Sequence, residues 1–217
     1  MNGDASPPPL GEPPVVEPKS IKVFGVLNIV FGSLGAVFAL MGIVVLIFLD
    51  PLLELLIGVI EQNVPARPGP AAGDPAVVFE AMRTMMNEMM LANWINYFGA
   101  ALLAVLILVS GAKLLKRRRD AVGAANLYAW TSLGFKLLGV LLYLTVIHGA
   151  LMDYYDTTMS VSGRAMPAGG AAMLRFQKVM AVLSSLTGYA LAAVYPVLVL
   201  VFLNKPAVRD FLARRGT

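Results

Sequence analysis

Ser110-Gly111-Ala112-Lys113-Leu114-Leu115-Lys116-Arg117-Arg118-Arg119-Asp120 decides how the chain is read. It ends one long apolar run, and a second begins just after Asp120. Lys113, Lys116, Arg117, Arg118 and Arg119 fall within seven positions at that boundary. Cationic loops between membrane spans stay on the cytoplasmic side, so a cluster placed here is a topological signal. It predicts a tight cytoplasmic turn between two membrane helices, and the rest of the chain can be laid out from it.

Composition points the same way. The 217 residues are 58% hydrophobic and 14% charged, with a mean hydropathy of +0.75. Soluble domains lie near about 45–50% apolar and about 25% charged. The class predicted is an all-α membrane protein. The net charge of +4 and pI of about 9.4 do not indicate a nucleic-acid partner, because the basic residues flank apolar runs instead of forming a soluble face. The chain has no cysteine, which excludes disulfides, thiolate metal sites, cysteine nucleophiles and lipoprotein anchors.

Working outward, Pro7-Pro8-Pro9, Pro13-Pro14 and Pro18 make residues 1–18 a disordered, proline-rich cytoplasmic tail. It does not read as a signal peptide, since Lys19 and Lys22 come late and the apolar run behind them is too long. The membrane domain spans residues 19–204, with four spans at about 21–49, 94–115, 124–151 and 179–203, each near the roughly 20 residues a bilayer requires. Outer loops cover 50–93 and 152–178. Asp50-Pro51 reads as the N-cap and first residue of a separate amphipathic helix, Leu52 to Asn63. Val64 to Pro75 is a proline-rich loop, and a helix resumes at Ala76. Trp94 and Tyr97 are expected at the outer interface of the second span, Tyr128 and Trp130 at the cytoplasmic end of the third. Met152 to Ala172 reads as a polar loop. Pro196 is expected to kink or locally unwind the fourth span. Residues 205–217 form a basic cytoplasmic segment, predicted to lie on the membrane surface with Val208, Phe211 and Leu212 inward. The predicted fold is thus a four-transmembrane-helix up-down bundle, N-in/C-in, with helical extensions on the extracytoplasmic side. Ser33-Leu34-Gly35 and Ser132-Leu133-Gly134 echo each other, but three residues do not establish a duplicated hairpin.

The orientation rests on a count. Lys19, Lys22, Lys113, Lys116, Arg117, Arg118, Arg119, Lys205, Arg209, Arg214 and Arg215 fall on one side of the predicted spans. Arg67, Arg83, Arg164, Arg175 and Lys178 fall on the other, eleven against five. The more basic side is assigned to the cytoplasm. Eight of the thirteen acidic residues lie outside. The partners implied are the lipid bilayer of the cytoplasmic (inner) cell membrane and anionic lipid at its cytoplasmic face.

Two stripes of small residues mark predicted helix-packing seams. The first is Gly25, Asn28, Gly32, Gly35 and Ala36 in span one, and the second is Ser184, Gly188 and Ala192 in span four. Helices in lipid associate through close packing and polar contacts, so such stripes read as seams with other helices, and Asn28 should hydrogen-bond a neighbour. Homo-oligomers or complexes with other membrane proteins follow from the same reasoning.

Lys136 is the one clearly ionisable residue inside a span, where a charge costs about 2.5–3.5 kcal/mol on insertion scales. Ser132, Lys136, Gly139 and Tyr143 share a helical face, and no carboxylate lies within a span to pair with the lysine. If the apolar core begins near Thr131, the ammonium can snorkel to the cytoplasmic interface. A membrane-embedded ion or proton site is the alternative. Met82, Met85, Met86, Met89 and Met90 form a stripe at helical spacing. It reads as packing, with Cu(I) binding by thioethers as the alternative. His148, near the outer end of span three, reads as a lone interfacial histidine. No Gly-x-Ser-x-Gly, His-Glu-x-x-His or phosphate loop is present.

Ser110 to Arg119, together with Lys22-Val23-Phe24-Gly25-Val26-Leu27-Asn28 and Asn204-Lys205-Pro206-Ala207-Val208-Arg209, resembles a broad set of uncharacterised bacterial four-span integral membrane proteins. The resemblance covers the spans and implies no activity. The expected function is therefore non-enzymatic, with no cofactor and no metal: a helix-packing interaction or assembly component. A small transporter or channel subunit using Lys136 and the Pro196 break is a second expectation, and an extracytoplasmic Cu(I)-handling protein using Met82 to Met90 is a third.

Overall fold

The computed structural model describes residues 16–63, 75–162 and 168–215. Residues 1–15 of the expected tail and the proline-rich loop over 64–74 lie outside the described residues. Those described are helical almost throughout. Helix α1 is Lys19–Asn63, α2 is Pro75–Leu115 and α3 is Ala121–Leu142. A π-helical turn, Tyr143–Ile147, leads into α4, His148–Ser162; α5 is Ala168–Leu203 and α6 is Pro206–Arg215. Four stretches are long and apolar enough to cross a bilayer: Lys19–Leu49, Val77–Leu115, Ala121–Val161 and Ala172–Leu203. The chain is a multi-pass membrane protein.

Several expected breaks are absent, for physical reasons. Helix α1 runs unbroken through Asp50 and Pro51, so these residues do not cap a separate helix. The packing face explains the continuity: Leu46 and Leu53, on either side of the proline, are both buried, so the face that α1 presents to α2 carries on past it. Helix α4 likewise continues to Ser162 and α5 starts at Ala168, leaving only 163–167 between them where a longer loop was expected. No glycine or proline interrupts 150–162, and the Lys178 Nζ to Asp156 Oδ1 ion pair (2.6 Å) ties the two extensions together. Helix α5 also passes through Pro196 without unwinding. Pro196 is fully buried, so the pyrrolidine ring is used as a packing element.

The first α1 seam is filled from within the chain. Ile21, Phe24, Gly25, Asn28, Gly32, Ala39, Gly42 and Leu46 are buried at three- to four-residue steps, and α2 supplies what covers them. Leu115 lies over Gly25, Ile107 and Leu108 over Gly32, and the Tyr97 ring over Gly42. Tyr97 therefore packs within the protein. At Gly111 the neighbour is the α1 backbone itself. A methyl group there would sit 2.9 Å from the Asn28 Cβ and 3.0 Å from both the Gly25 carbonyl oxygen and the Ile29 nitrogen. Two of those three atoms are backbone and have no rotamer to yield.

One end of the molecule is closed by a cluster drawn from every helix except α4. Ile21, Phe24, Leu114, Ala121, Val122, Ala125, Tyr128, Val199, Leu203, Val208, Phe211 and Leu212 are buried together. Helix α6 thus turns Val208, Phe211 and Leu212 onto the protein, where a helix flat on lipid was expected. The short turn Asn204–Lys205 returns the chain beneath the bundle, and the apolar face of α6 joins side chains of α2 and α3 in that cluster. Tyr128 belongs to the same cluster at 7% exposure, so it is not an interfacial aromatic, whereas Trp130 is 66% exposed.

Gly111→Ala should lower stability by about 1–3 kcal/mol, because overpacking against backbone cannot be relieved by a rotamer change. Gly134→Ala, where an added methyl meets nothing within 4 Å, should be neutral or slightly stabilising. Unfolding in bicelles measures both, and equal effects would contradict the assignment of Gly111 as the contact point.

Candidate functional site

Three polar features stand out. The deepest joins α1, α2 and α5. Asn28 Nδ2 donates to Ser110 Oγ at 3.0 Å, and the Tyr195 hydroxyl donates to Asn28 Oδ1. Asn28 and Ser110 are fully buried. Rings enclose the cluster: Phe31 meets Tyr195 edge-on at 4.8 Å between centroids, with Phe24 at 6.2 Å and Tyr128 at 6.5 Å. An amide in hydrocarbon must find internal partners, and Asn28 uses one group on each of two neighbouring helices. Ser110 and Tyr195 were not singled out from sequence as its partners. The usable signal was a polar residue inside each span at the depth of Asn28.

The second feature is the face carrying Lys136. Ser132 and Tyr143 are both 2% exposed, and Gly139 is buried beneath the Tyr189 ring, so this face turns inward as its spacing predicted. The Ser132 hydroxyl pairs with Tyr128. Lys136 is half-buried and makes no ion pair among the described residues. Tyr143 opens the π-helical turn, and its hydroxyl is buried without a hydrogen-bond partner among the described residues, as is His148 Nδ1. Thr145 Oγ1 donates to the Leu141 carbonyl at 2.8 Å, competing for the backbone acceptor where the helix widens. All five methionines of the stripe are half-buried, and Met89 packs on Ala92, Tyr143 and Ile147. Among the described residues, no group of three or more His, Asp or Glu side chains is placed to hold a metal ion. An open cleft of about 380 Å³ between α2 and α4 is lined by Glu80, Glu88 and Asp153 along with Met85 and Thr157.

The third feature is the basic turn. Arg118 N–H bonds the Lys113 carbonyl and Arg117 N–H bonds the Leu114 carbonyl, both at 3.0 Å. This is a Schellman C-cap, and Arg117 occupies its left-handed position with φ 52°. Glycine normally sits there, since an L side chain costs about 1–2 kcal/mol. At Arg117 the guanidinium grips Glu17 with two bonds, Nε to Oε1 at 3.0 Å and Nη2 to Oε2 at 2.8 Å, which offset part of that cost. Asp120 takes Lys113 at 2.7 Å and Arg118 at 3.2 Å. The hydrogen bond from Arg117 holds the Glu17 carboxyl below its ordinary value, helped by the charges of Arg117 and Lys22. The hydrogen bond from Lys113 does the same for Asp120, helped by Arg118. Lys113, Arg117 and Arg118 are therefore neutralised locally, while Lys116 and Arg119 have no carboxylate partner among the described residues.

The second small-residue stripe contrasts with the first. Ser184, Gly188 and Ala192 are exposed, and a methyl built on Gly188 meets nothing within 4 Å. No protein-family model, no curated protein and no solved structure matches this chain.

Glu17 has a depressed carboxyl value in the folded chain, so its contribution is full above its ordinary value of 4.5 and is lost as pH falls through the folded value. The pair is partly exposed, so it contributes less than about 1 kcal/mol. Arg117→Ala keeps the left-handed cost and loses the pair, whereas Arg117→Gly loses the pair but relieves the backbone. Arg117→Ala should be the less stable of the two by about 1 kcal/mol. The gap between wild type and Arg117→Ala should shrink on acidification from neutral pH to below 4.5. Thermal unfolding in nanodiscs across pH tests both, and a gap independent of pH would contradict the role of Glu17.

Proposed function

We propose that this chain is a non-enzymatic assembly component of the cytoplasmic membrane, threaded as an up-down bundle with both ends in the cytoplasm. In this reading it pairs through α5 with a further transmembrane helix, in the first instance that of a second copy. The observation that carries it is the unequal use of the two small-residue seams. The α1 seam is filled by α2, whereas Ser184, Gly188 and Ala192 are left uncovered. These three share one side of α5 with Tyr195 and Val199, spaced at about 100° per residue. Tyr195 and Val199 are packed into the protein. The strip is thus occupied at one end, where Phe24, Asn28 and Phe31 of α1 meet Tyr195, and bare at the other.

Small residues on a lipid-facing strip give up side-chain packing with acyl chains and allow a partner backbone to come close. Ser184 Oγ presently donates to its own Ala181 carbonyl at 3.1 Å, and it can turn to an acceptor on a partner helix. The apolar window of α5 is 17% buried within the protein, as is that of α1, against 39% for α2, so α5 is among the helices with surface left uncovered. The cytoplasmic placement of both termini is supported by the eleven-to-five distribution of basic residues.

A small transport subunit is a second reading, favoured by the unpartnered Tyr143 hydroxyl and His148 Nδ1 beside a π-helical turn, a local geometry frequent at functional sites. Ion or solute flux in liposomes that is abolished by Lys136→Ala would select it.

Native mass spectrometry of protein extracted in lipid-bearing polymer discs tests the assembly role. Wild type should give a species larger than the monomer, and Gly188→Leu, which fills the strip, should shift it to monomer at least about fivefold while leaving the helical content unchanged. Monomer alone from wild type in every lipid tried, with no other membrane protein retained, would overturn the proposal.

A further inference from the structure

Beside the basic turn lies an open cleft of about 530 Å³, lined by Arg119, Val122, Gly123, Asn126, Asn204, Arg209, Leu212 and Ala213. It is formed where α3 begins, α5 ends and α6 folds back. Two arginines from different parts of the chain line it, and no Asp or Glu is among its lining residues. The acidic residues near the turn are engaged elsewhere, Glu17 with Arg117 and Lys22, and Asp120 with Lys113 and Arg118. Neither Arg119 nor Arg209 has an ion-pair partner among the described residues.

Its floor is braced and carries a spare donor. Asn126 and Asn204 are joined by reciprocal amide bonds of 3.0 and 2.8 Å. Asn204 Nδ2 gives its second hydrogen to the Leu200 carbonyl at 2.8 Å. Asn126 Nδ2 uses only one of its two hydrogens in this pair, leaving one N–H for another acceptor. Gly123 adds open space, since a methyl there would meet nothing within 4 Å. Val122, Leu212 and Ala213 make the rest of the wall apolar.

We propose that this cleft binds the phosphate of an anionic phospholipid. Arg119 and Arg209 would act as forked donors to the phosphate oxygens, and Asn126 would supply a third hydrogen bond. Planar guanidinium forks suit phosphate oxygens better than a point charge does. The mixed lining fits a phospholipid, whose charged phosphate and polar glycerol lead into apolar acyl chains, and the cleft stands at the end of two membrane spans, the level at which lipid phosphates lie. The inference rests on the membrane reading of the chain but not on association through α5. The variants used here leave α5 untouched, so its failure is separable from failure of the assembly role.

The test uses the full chain in detergent and in nanodiscs, with phosphatidylglycerol, phosphatidylcholine and inorganic phosphate as probes. Wild type should retain phosphatidylglycerol in native mass spectra and gain thermal stability from it, with no comparable gain from phosphatidylcholine or inorganic phosphate. Arg119→Gln/Arg209→Gln should lose at least about tenfold in apparent affinity for phosphatidylglycerol, each basic group near the surface contributing a few-fold. Its circular dichroism and its melting temperature in phosphatidylcholine should stay unchanged. The charge-matched control Lys19→Gln/Lys116→Gln alters exposed cations outside the cleft, and it should lose far less. Equal losses in the two variants would mean a diffuse basic surface and overturn the proposal. So would a stabilisation by inorganic phosphate equal to that by phosphatidylglycerol, which would assign the cleft to a soluble phosphate.

Discussion

The fold depends on satisfying one amide inside the membrane. Asn28 sits fully buried in α1, donating to Ser110 on α2 and accepting from Tyr195 on α5. Apolar side chains do not drive helices together in lipid, because the acyl chains are as apolar as they are. What remains is close packing and polar contact, and this molecule concentrates both at one level. The glycine contact between Gly111 and the α1 backbone lies one residue from Ser110, so the two helices are near enough there for the short Asn28 to Ser110 bond to form. Tyr195 has the length to reach the same amide from α5, across the gap that Phe24 and Phe31 line. Pro196, buried next to it, makes the following turn a packing surface.

The node governs one end of the molecule and leaves the other looser. Below it, α6 and the starts or ends of α1, α2, α3 and α5 share one buried cluster. Beyond it, α5 carries its small residues uncovered. The basic turn belongs to the closed end and is more differentiated than a run of like charges. Three of its cations are matched by Glu17 and Asp120, one of them an arginine held in a left-handed conformation, while Arg119 lines a cleft together with Arg209. A run of like charges thus resolves into separate contacts, with Lys113, Arg117 and Arg118 each held by a carboxylate.

Much of this was legible in the sequence because membrane helices announce themselves by length and apolarity. The inward face of Ser132, Gly139 and Tyr143 followed from spacing alone, as did the α1 seam. The errors came where local signals met packing. Asp50-Pro51 carries a helix-start signature, but Leu46 and Leu53 keep one face buried across it and α1 continues. Pro196 removes a backbone donor, yet α5 stays helical through it and the ring is buried in the packed interior, so local unwinding is absent. Val208, Phe211 and Leu212 were rightly grouped on one face, but periodicity cannot distinguish a face turned to lipid from one turned to protein. The two small-residue seams look alike as sequence; only the position of α2 makes one of them internal. The Arg119 and Arg209 pairing was invisible, since the two lie ninety positions apart and meet through the return of α6.

The central claim is that Asn28 couples α1, α2 and α5 through its own hydrogen bonds. A double-mutant cycle on Asn28→Ala and Tyr195→Phe, read as unfolding free energy in bicelles, addresses it most directly. A coupling of about 0.5–1.5 kcal/mol is expected, within the span found for hydrogen bonds between membrane helices. Strictly additive effects, with coupling below about 0.3 kcal/mol, would mean that the amide and the tyrosine contribute separately and that packing alone holds the three helices together.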